Sequence, residues 1–275
     1  RPSWALLDWG LKFARAATLE HVERSARPML DLLLFSKNMF REWAASGDIE
    51  FSLTEKGCLM LYQTAKYEKE ELEMARTAEE LGLRVEALGR EQVQTIEPEA
   101  RPDVRGGVLY KDDAHLDPNA LMQQLPALLE KRGVKIIRNA RVTGFERQNN
   151  KINAVTTSGL SGRQANFLPN GQAGKLQTSN STVILAAGAW SPQLARMAGE
   201  YLPLMPGKGY STTLENPQKS LNIPCILAEA KVALTPWPGR LRIGSTMEIG
   251  PVNDRILYSR VFTRPGPRPW VPGTG

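Results

Sequence analysis

The sequence has few residues suited to thiol or metal chemistry. It contains two cysteines, Cys58 and Cys225, and two histidines in 275 residues. The cysteines lack CxxC spacing and a neighbouring histidine, so the pattern indicates no metal site and requires no disulfide. This cysteine usage is typical of a reducing, cytoplasmic setting.

Long apolar runs are also lacking. The longest candidates, residues 30–35 and 183–187, are interrupted by Asp31 or are far too short to span a membrane, so we expect a soluble protein with no transmembrane segment. The chain starts at Arg1, without an initiator Met or a secretory pattern, and we therefore interpret it as a fragment.

Positive charge is not clustered, although the net charge is +6, from 35 Lys and Arg against 29 Asp and Glu. In residues 66–76, for example, four glutamates lie among the bases. Clustered cations are what a phosphate backbone requires. The interleaving favours a mixed, solvated surface over a nucleic-acid-binding one.

Local patterns predict helices first and alternating elements afterwards. Apolar residues at three- and four-residue spacing predict N-terminal helices, with Pro28 in a first turn and Gly47 at a stop. We expect a hairpin joined through Lys56 and Gly57, with strands at 51–54 and 58–62. A charged helix over 66–81 and a helix opened by Asp117 and Pro118 follow. Further strands are predicted at 106–110, 134–138, 142–147, 152–157, 182–187, 210–214, 232–237 and 241–247.

Residues 183–190, Val-Ile-Leu-Ala-Ala-Gly-Ala-Trp, are the most informative segment. An apolar run predicts a strand covered on both faces of a parallel sheet. Its small-residue end would let another group lie against the main chain, at the edge where α/β sheets bind ligands. From these residues alone, a tight strand-to-helix turn that needs small residues for packing is an equally open interpretation.

Five motifs in order resemble the FAD-dependent D-amino-acid oxidase superfamily, and within it D-amino-acid dehydrogenases. They are residues 106–118, 134–142, 183–191, 206–211 and 239–248. The resemblance covers about residues 3 to 255. It departs at both ends, since the Gly-x-Gly-x-x-Gly turn that holds the FAD pyrophosphate and the Gly-rich C-terminal flavin segment do not occur in this sequence.

The resemblance implies an α/β fold: an α+β substrate domain with a mixed, largely antiparallel sheet, plus part of a Rossmann-like FAD domain. It implies a helical cap and first part of the substrate domain over 1–115, and a partial FAD-binding domain over 116–200 with a hairpin excursion at 158–181. The substrate-domain sheet would occupy 201–262 and an irregular tail 263–275.

Site residues also follow from the resemblance. Val142, Ala187, Gly188 and Ala189 would contact FAD, although Val142 alone also fits an inward-facing strand residue. The substrate would contact Lys208, Tyr210 and Met247. A position in the hydrophobic core explains Met247 equally well. We interpret His115 and the neighbouring aspartates as a structural turn before the Asp117 cap, and we identify no catalytic acid, base or metal ligand.

The implied activity is oxidative deamination of D-amino acids by hydride transfer from the α-carbon to flavin. Electrons would pass to a quinone or another acceptor, with peripheral contact at the inner membrane face. A glycine- or sarcosine-type amine oxidase using oxygen, and a truncated noncatalytic binding domain, remain alternatives. Flavin carries the redox chemistry, which is consistent with a sequence that offers no acid/base pair.

Overall fold

The computed structural model describes residues 4–149, 151–158, 174–177 and 182–257. The chain forms two compact units. The first contains residues 1–17, 129–208 and 249–254, and the second contains residues 18–128, 209–248 and 255–275. The two units therefore alternate along the chain, with boundaries at 17/18, 128/129, 208/209, 248/249 and 254/255.

The described elements include both helices and strands. The helices are α1 (Trp4–Ala16), α2 (Leu19–Ser46), α3 (Ala65–Glu80), α4 (Arg90–Ile96), α5 (Pro118–Lys131) and α6 (Ser191–Met197). The strands are β1 (Cys58–Tyr62), β2 (Val85–Gly89), β3 (Gly106–Tyr110), β4 (Arg141–Gln148), β5 (Lys151–Ser158), β6 (Lys175–Gln177), β7 (Gly207–Glu215), β8 (Cys225–Leu227), β9 (Val232–Trp237) and β10 (Arg240–Ile249). None of the helices in the described part of the chain is long and apolar enough to cross a membrane.

The larger sheet belongs to the second unit and has seven strands in the order β2-β3-β1-β8-β9-β10-β7. Strand β1 is an interior strand, antiparallel to β3 and parallel to β8. Every other strand pair with a recorded register in this sheet is antiparallel. The expected mixed, largely antiparallel sheet is therefore confirmed.

One side chain cluster forms the core of this sheet. Leu59, Val93 and Leu241 are fully buried in it. Burying a leucine of this kind contributes about 1.5–3 kcal/mol, so these contacts supply much of the drive to fold the unit. The same cluster includes Cys225, and burial raises the pKa of its thiol, which therefore stays protonated.

A three-stranded antiparallel sheet, β4-β5-β6, lies in the first unit. Strands β4 and β5 form a hairpin whose closing pair is Gln148 and Lys151. The register shifts between Val142 and Gly144, which is a β-bulge. Bulges redirect side chains along a strand, and this one lies directly beside a predicted cofactor residue.

Elements with strong local signals are confirmed. The predicted helix over 66–81 is α3, whose cap Thr64 accepts a hydrogen bond from the Tyr67 N–H at 3.4 Å. The predicted strand over 232–237 is β9 with the same bounds. Gly47 ends α2 in the left-handed conformation with φ of 69°, the conformation that glycine adopts without steric cost.

The prediction for Pro28 is wrong, because Pro28 lies inside α2 rather than in its first turn. The helix begins at Leu19, where the side chain of Thr18 caps it by accepting from the His21 N–H. This earlier cap satisfies an N-terminal donor, so the helix starts nine residues before the proline.

The prediction of a hairpin between residues 51–54 and 58–62 is also wrong. Thr54 makes an isolated bridge to His115, and β1 pairs with β3 and β8 instead. At Gly57, φ is +84° and an added Cβ would lie 2.7 Å from the Tyr110 carbonyl oxygen. The chain therefore turns away from residues 51–54 and packs against β3.

Two predicted strands are absent from the described residues. Residues 134–138 are irregular because the Val134 N–H bonds to the Leu129 carbonyl at 2.9 Å, completing the C-terminal turn of α5. Residues 182–187 are irregular and Ile184 is 82% exposed, so the prediction of a parallel strand covered on both faces is wrong. Apolar composition does not make a strand without a neighbouring strand to pair with. Most of the predicted excursion over 158–181, and the tail from 263, lie outside the described residues.

Asp117 connects α5 to the large sheet. Its side chain accepts hydrogen bonds from the Asn119 and Ala120 N–H groups and pairs with Arg240 on β10. Burial pushes the pKa of Asp117 upward, but the Arg240 hydrogen bond and the two backbone donors outweigh it, so the pKa lies below its ordinary value. The predicted helix cap at Asp117 is therefore confirmed. The ion pair between Asp117 and Arg240 was not predicted from the sequence.

We expect Asp117→Ala to lower the free energy of unfolding at pH 7 by about 2–4 kcal/mol, since it removes both the cap and the partner of Arg240. Asp117→Asn keeps a cap and should cost about 1–2 kcal/mol. Urea unfolding measures both values.

The pH dependence follows from the lowered pKa. The stabilisation by Asp117 is present above its unfolded-state pKa of about 3.9 and is lost as pH falls through the lower folded-state value. The gap between wild type and Asp117→Asn should therefore shrink toward pH 3. A gap that stays constant between pH 7 and pH 3 would contradict the charge pair.

Candidate functional site

Val142 lies on β4 of the first unit, half-buried and opposite Thr157. It was predicted both as a cofactor contact and, without the resemblance, as an inward-facing strand residue. Its half-buried state leaves part of the side chain accessible at the bulge.

The predicted edge at Ala187, Gly188 and Ala189 leads into a 3₁₀ turn, Gly188–Trp190, that continues directly into α6. The Trp190 N–H donates to the Ala187 carbonyl at 3.0 Å, which closes the turn. Gly188 has φ of +53°, and an added Cβ there would meet nothing within 4 Å. At this glycine the main chain is therefore open to an approaching group.

A cavity of about 520 Å³ lies in the same unit. Val142 on β4 lines this cavity. Trp190, which directly follows the open edge at residues 187–189, lines it as well. Its volume is within the range of about 300–1,000 Å³ that is usual for small-molecule sites. Among the described residues, the cavity is lined by Arg141, Val142, Trp190, Gln193, Leu194, Val252, Asn253 and Asp254.

A hydrogen bond fixes α6 against β4. Arg147 Nη1 donates to the Ala198 carbonyl at 2.6 Å. Gly199 follows with φ of +80°, and a Cβ there would lie 2.6 Å from the same Nη1. The positive φ favours glycine here, and an added Cβ would also have to displace the end of the flexible Arg147 side chain.

Lys208 belongs to the first unit, whereas Tyr210 and Met247 belong to the second. Lys208 Nζ donates to Asn253 Oδ1 at 2.8 Å, and Asn253 lines the 520 Å³ cavity. Among the three residues predicted to bind substrate, Lys208 is therefore connected to the cavity that also contains Val142.

Tyr210 and Met247 lie on two adjacent strands of the large sheet, β7 and β10. Tyr210 is buried, and its hydroxyl donates to Glu248 Oε2 at 2.8 Å. Met247 is 64% exposed, so core filling does not describe it. An exposed methionine can adapt its flexible side chain to a ligand.

His115 lies in the structural turn predicted for it. Its backbone pairs with Thr54, and the turn leads to the Asp117 cap. Cys58 nearby is not an activated thiol, because burial, with a contribution from Asp113, raises its pKa to about 12. A thiol with such a pKa carries almost no thiolate at neutral pH.

Sequence reasoning missed most of the cavity lining. Trp190 follows the predicted small-residue edge directly, and its position after Ala189 was a usable signal. Arg141 similarly precedes Val142. Asn253 and Asp254 reach the cavity from more than 100 residues away along the chain, and no local pattern indicated them.

The described chain is an α/β protein with a cavity beside the open main-chain edge of its smaller unit. The family model described as FAD dependent oxidoreductase matches residues 5–267. The chain belongs to this family, and the resemblance found in the sequence is confirmed.

Two relatives by sequence are named D-amino acid dehydrogenases. The protein of Helicobacter pylori is 27% identical over 252 residues, covering 91% of this chain and 56% of the relative. D-amino acid dehydrogenase 2 of Mesorhizobium japonicum is 28% identical over 248 residues, covering 88% and 56% respectively. The chain thus spans a little over half the length of these relatives.

Solved structures show the same fold at lower identity. Glycine oxidase from Bacillus cereus superposes with a TM-score of 0.71 at 22% identity, covering 85% of this chain and 61% of the other. L-proline dehydrogenase from P. horikoshii gives 0.64 at 20% identity, covering 82% and 57%.

Two glycine substitutions test the anchor between α6 and β4. Both Gly188→Ala and Gly199→Ala place a side chain at positive φ, which costs roughly 1–2 kcal/mol. Only Gly199→Ala also displaces the Arg147 guanidinium, so it should destabilise by about 1–2 kcal/mol more. Chemical unfolding measures the difference, and equal losses at the two positions would contradict the anchoring contact.

Proposed function

We propose that this chain forms part of an FAD-dependent enzyme that deaminates D-amino acids oxidatively. Family membership supports the flavin, and the D-amino acid dehydrogenase relatives support the substrate class. The structural observation that carries the proposal is the open main chain at Gly188, next to a cavity that Val142 and Trp190 line.

The residues of the first unit fit FAD. A flat ring system can lie against the main chain at Gly188, because no side chain stands there and nothing surrounds the site of a Cβ within 4 Å. Ala187 and Ala189 keep both neighbouring side chains small. Val142 and Trp190 offer apolar surface to the same ligand, and tryptophan has a broad face for stacking.

The charged lining suits the polar parts of a dinucleotide. Arg141 and Asp254 both border the cavity. A guanidinium binds phosphate oxygens well, and a carboxylate accepts hydrogen bonds from ribose hydroxyls. We propose these roles for the two residues.

Lys208, Tyr210 and Met247 are proposed to contact the substrate or to hold its site. Lys208 fixes Asn253 at the cavity, and Tyr210 holds Glu248. Met247 offers an exposed apolar surface to a side chain. Through such contacts the protein would orient the α-carbon–hydrogen bond of the substrate.

FAD, when bound, would supply the acceptor for the hydride, and with it both electrons, that leaves the substrate α-carbon. The neutral amine supplies the nitrogen lone pair that forms the imine double bond. Water then hydrolyses the released imine to a keto acid and ammonia. The contribution of this chain would be to orient the substrate and to shield the site from water.

Gly188→Asn tests the cofactor edge. Asparagine tolerates positive φ, and its side chain would occupy the open main chain. We expect the dissociation constant for FAD, measured by flavin fluorescence, to rise at least tenfold, or about 1.4 kcal/mol.

Gly133→Asn is the matched control, since Gly133 also has positive φ and open space in the same unit. It should bind FAD as wild type does. Equal affinity of both variants would contradict the assignment of the edge. If the wild-type chain supplied with FAD bound none, a noncatalytic binding domain would be the better interpretation.

The substrate class is tested separately by measuring keto acid formation from D-alanine and L-alanine. Reduction of an artificial dye with D-alanine supports a dehydrogenase. Formation of hydrogen peroxide with glycine or sarcosine would instead favour the oxygen-using amine oxidase. The similarity of the fold to that of glycine oxidase is the reason to test this alternative.

A further inference from the structure

The segment that follows β10 forms one wall of the 520 Å³ cavity. Val252, Asn253 and Asp254 line the cavity from this segment. Residues 250–257 have no regular secondary structure, so no helix or strand ladder sets the position of this wall. A binding site on irregular backbone depends on neighbouring contacts for its precision. The side chains that make such contacts therefore control the shape of the cavity.

Two hydrogen bonds join this segment to the start of β7. The Gly250 N–H donates to the Pro206 carbonyl at 3.0 Å. Two residues further along β7, Lys208 Nζ donates to Asn253 Oδ1 at 2.8 Å. The first bond joins two main-chain groups, whereas the second joins two side chains, and its acceptor lines the cavity. Lys208 is thus the side chain that connects β7 to the cavity wall.

The Asn253 amide is held at both of its ends. Its Oδ1 accepts from Lys208, and its Nδ2 donates to the Pro251 carbonyl at 3.1 Å. An ammonium can only donate and a carbonyl oxygen can only accept, so the two partners fix which end of the amide is the oxygen. Lys208 is half-buried, and a charged donor makes a stronger hydrogen bond than a neutral one. The Lys208 ammonium therefore sets the orientation of Asn253.

The position of Asp254 depends on that of Asn253, because the two residues are adjacent and a planar peptide bond joins them. Asp254 also lines the cavity, and its carboxylate is proposed above to accept hydrogen bonds from ribose hydroxyls. Lys208 is not among the described residues that line the cavity. Any effect of Lys208 on a ligand there is therefore indirect and passes through the cavity wall.

We propose that Lys208 is a positioning residue that determines the preference of this chain for FAD over FMN. It acts through Asn253, which holds Asp254 where the adenosine ribose would lie, a role that rests on the proposed function because it takes the cavity as the cofactor site. FMN has the same flavin ring but no adenosine ribose, so it has no hydroxyls to donate to Asp254 at that position. Lys208 thus holds the site on the side of the cofactor rather than by contact with the substrate.

Titration of the chain with FAD and with FMN, followed by flavin fluorescence, tests this role. Wild type should bind FAD at least about tenfold more tightly than FMN. Lys208→Met keeps the aliphatic stem and removes the donor, so the dissociation constant for FAD should rise about tenfold while that for FMN changes by less than about twofold. A general loss of stability would weaken both flavins alike. Equal wild-type affinity for the two flavins, or an unchanged preference in Lys208→Met, would overturn the proposal.

Two further lysine variants serve as controls. Lys208→Arg keeps a charged donor and should retain the preference for FAD. Lys175→Met is matched to Lys208→Met, since Lys175 is also a half-buried lysine of the first unit, and it pairs with Glu146 at 2.5 Å. Neither Lys175 nor Glu146 is among the described lining residues, so this variant should bind both flavins as wild type does. Equal loss of preference in Lys175→Met and Lys208→Met would indicate a general charge effect and contradict the proposal.

A double-mutant cycle tests whether Lys208 acts through Asn253. Asn253→Ala removes the acceptor and should reduce the preference for FAD as much as Lys208→Met does. The double variant should reduce it no further, because both changes break the same hydrogen bond. Additive losses would contradict the route through Asn253. A wild-type chain that binds neither flavin would overturn the proposed function itself, whereas a wild-type chain that prefers FAD, with the same preference in Lys208→Met, would overturn only the role of Lys208.

Discussion

The hydrogen bond from Arg147 to the Ala198 carbonyl holds the candidate cofactor site together. It joins β4 to the end of α6, two elements 51 residues apart in sequence. Val142 lies on the first element, and Trp190 directly precedes the second. The charge-assisted donor makes this a comparatively strong contact.

The two units are stabilised in different ways. The larger unit buries leucines and valines on a seven-stranded sheet and fixes α5 to it through Asp117 and Arg240. The smaller unit has a short sheet and exposes apolar residues such as Ile184 and Trp190. Apolar side chains exposed beside an open main chain are suited to contact with a ligand. The family assignment names the class of ligand, and the geometry at Gly188 indicates where on this chain it would lie.

The sequence predicted those elements whose signals are local. Helix α3 has a threonine cap, α5 has Asp117 and Pro118 at its start, and β9 begins with the β-prone run Val232–Thr235, so each formed where expected. Segments 134–138 and 182–187 failed because a strand needs a partner, and a partner is a property of the tertiary structure. The candidate site could be predicted from the sequence only in part, for the same reason. Val142 and the small-residue edge were visible as motifs, whereas Asn253 reaches the cavity only through the fold and the Lys208 hydrogen bond.

Hydrogen–deuterium exchange with and without FAD tests the central claim most directly, since it reports which amides the cofactor covers. The account predicts slower exchange at residues 187–190 and 141–142 when FAD is present, with little change in the strands of the large sheet. Unchanged exchange at residues 187–190 in a protein that has bound FAD would contradict it.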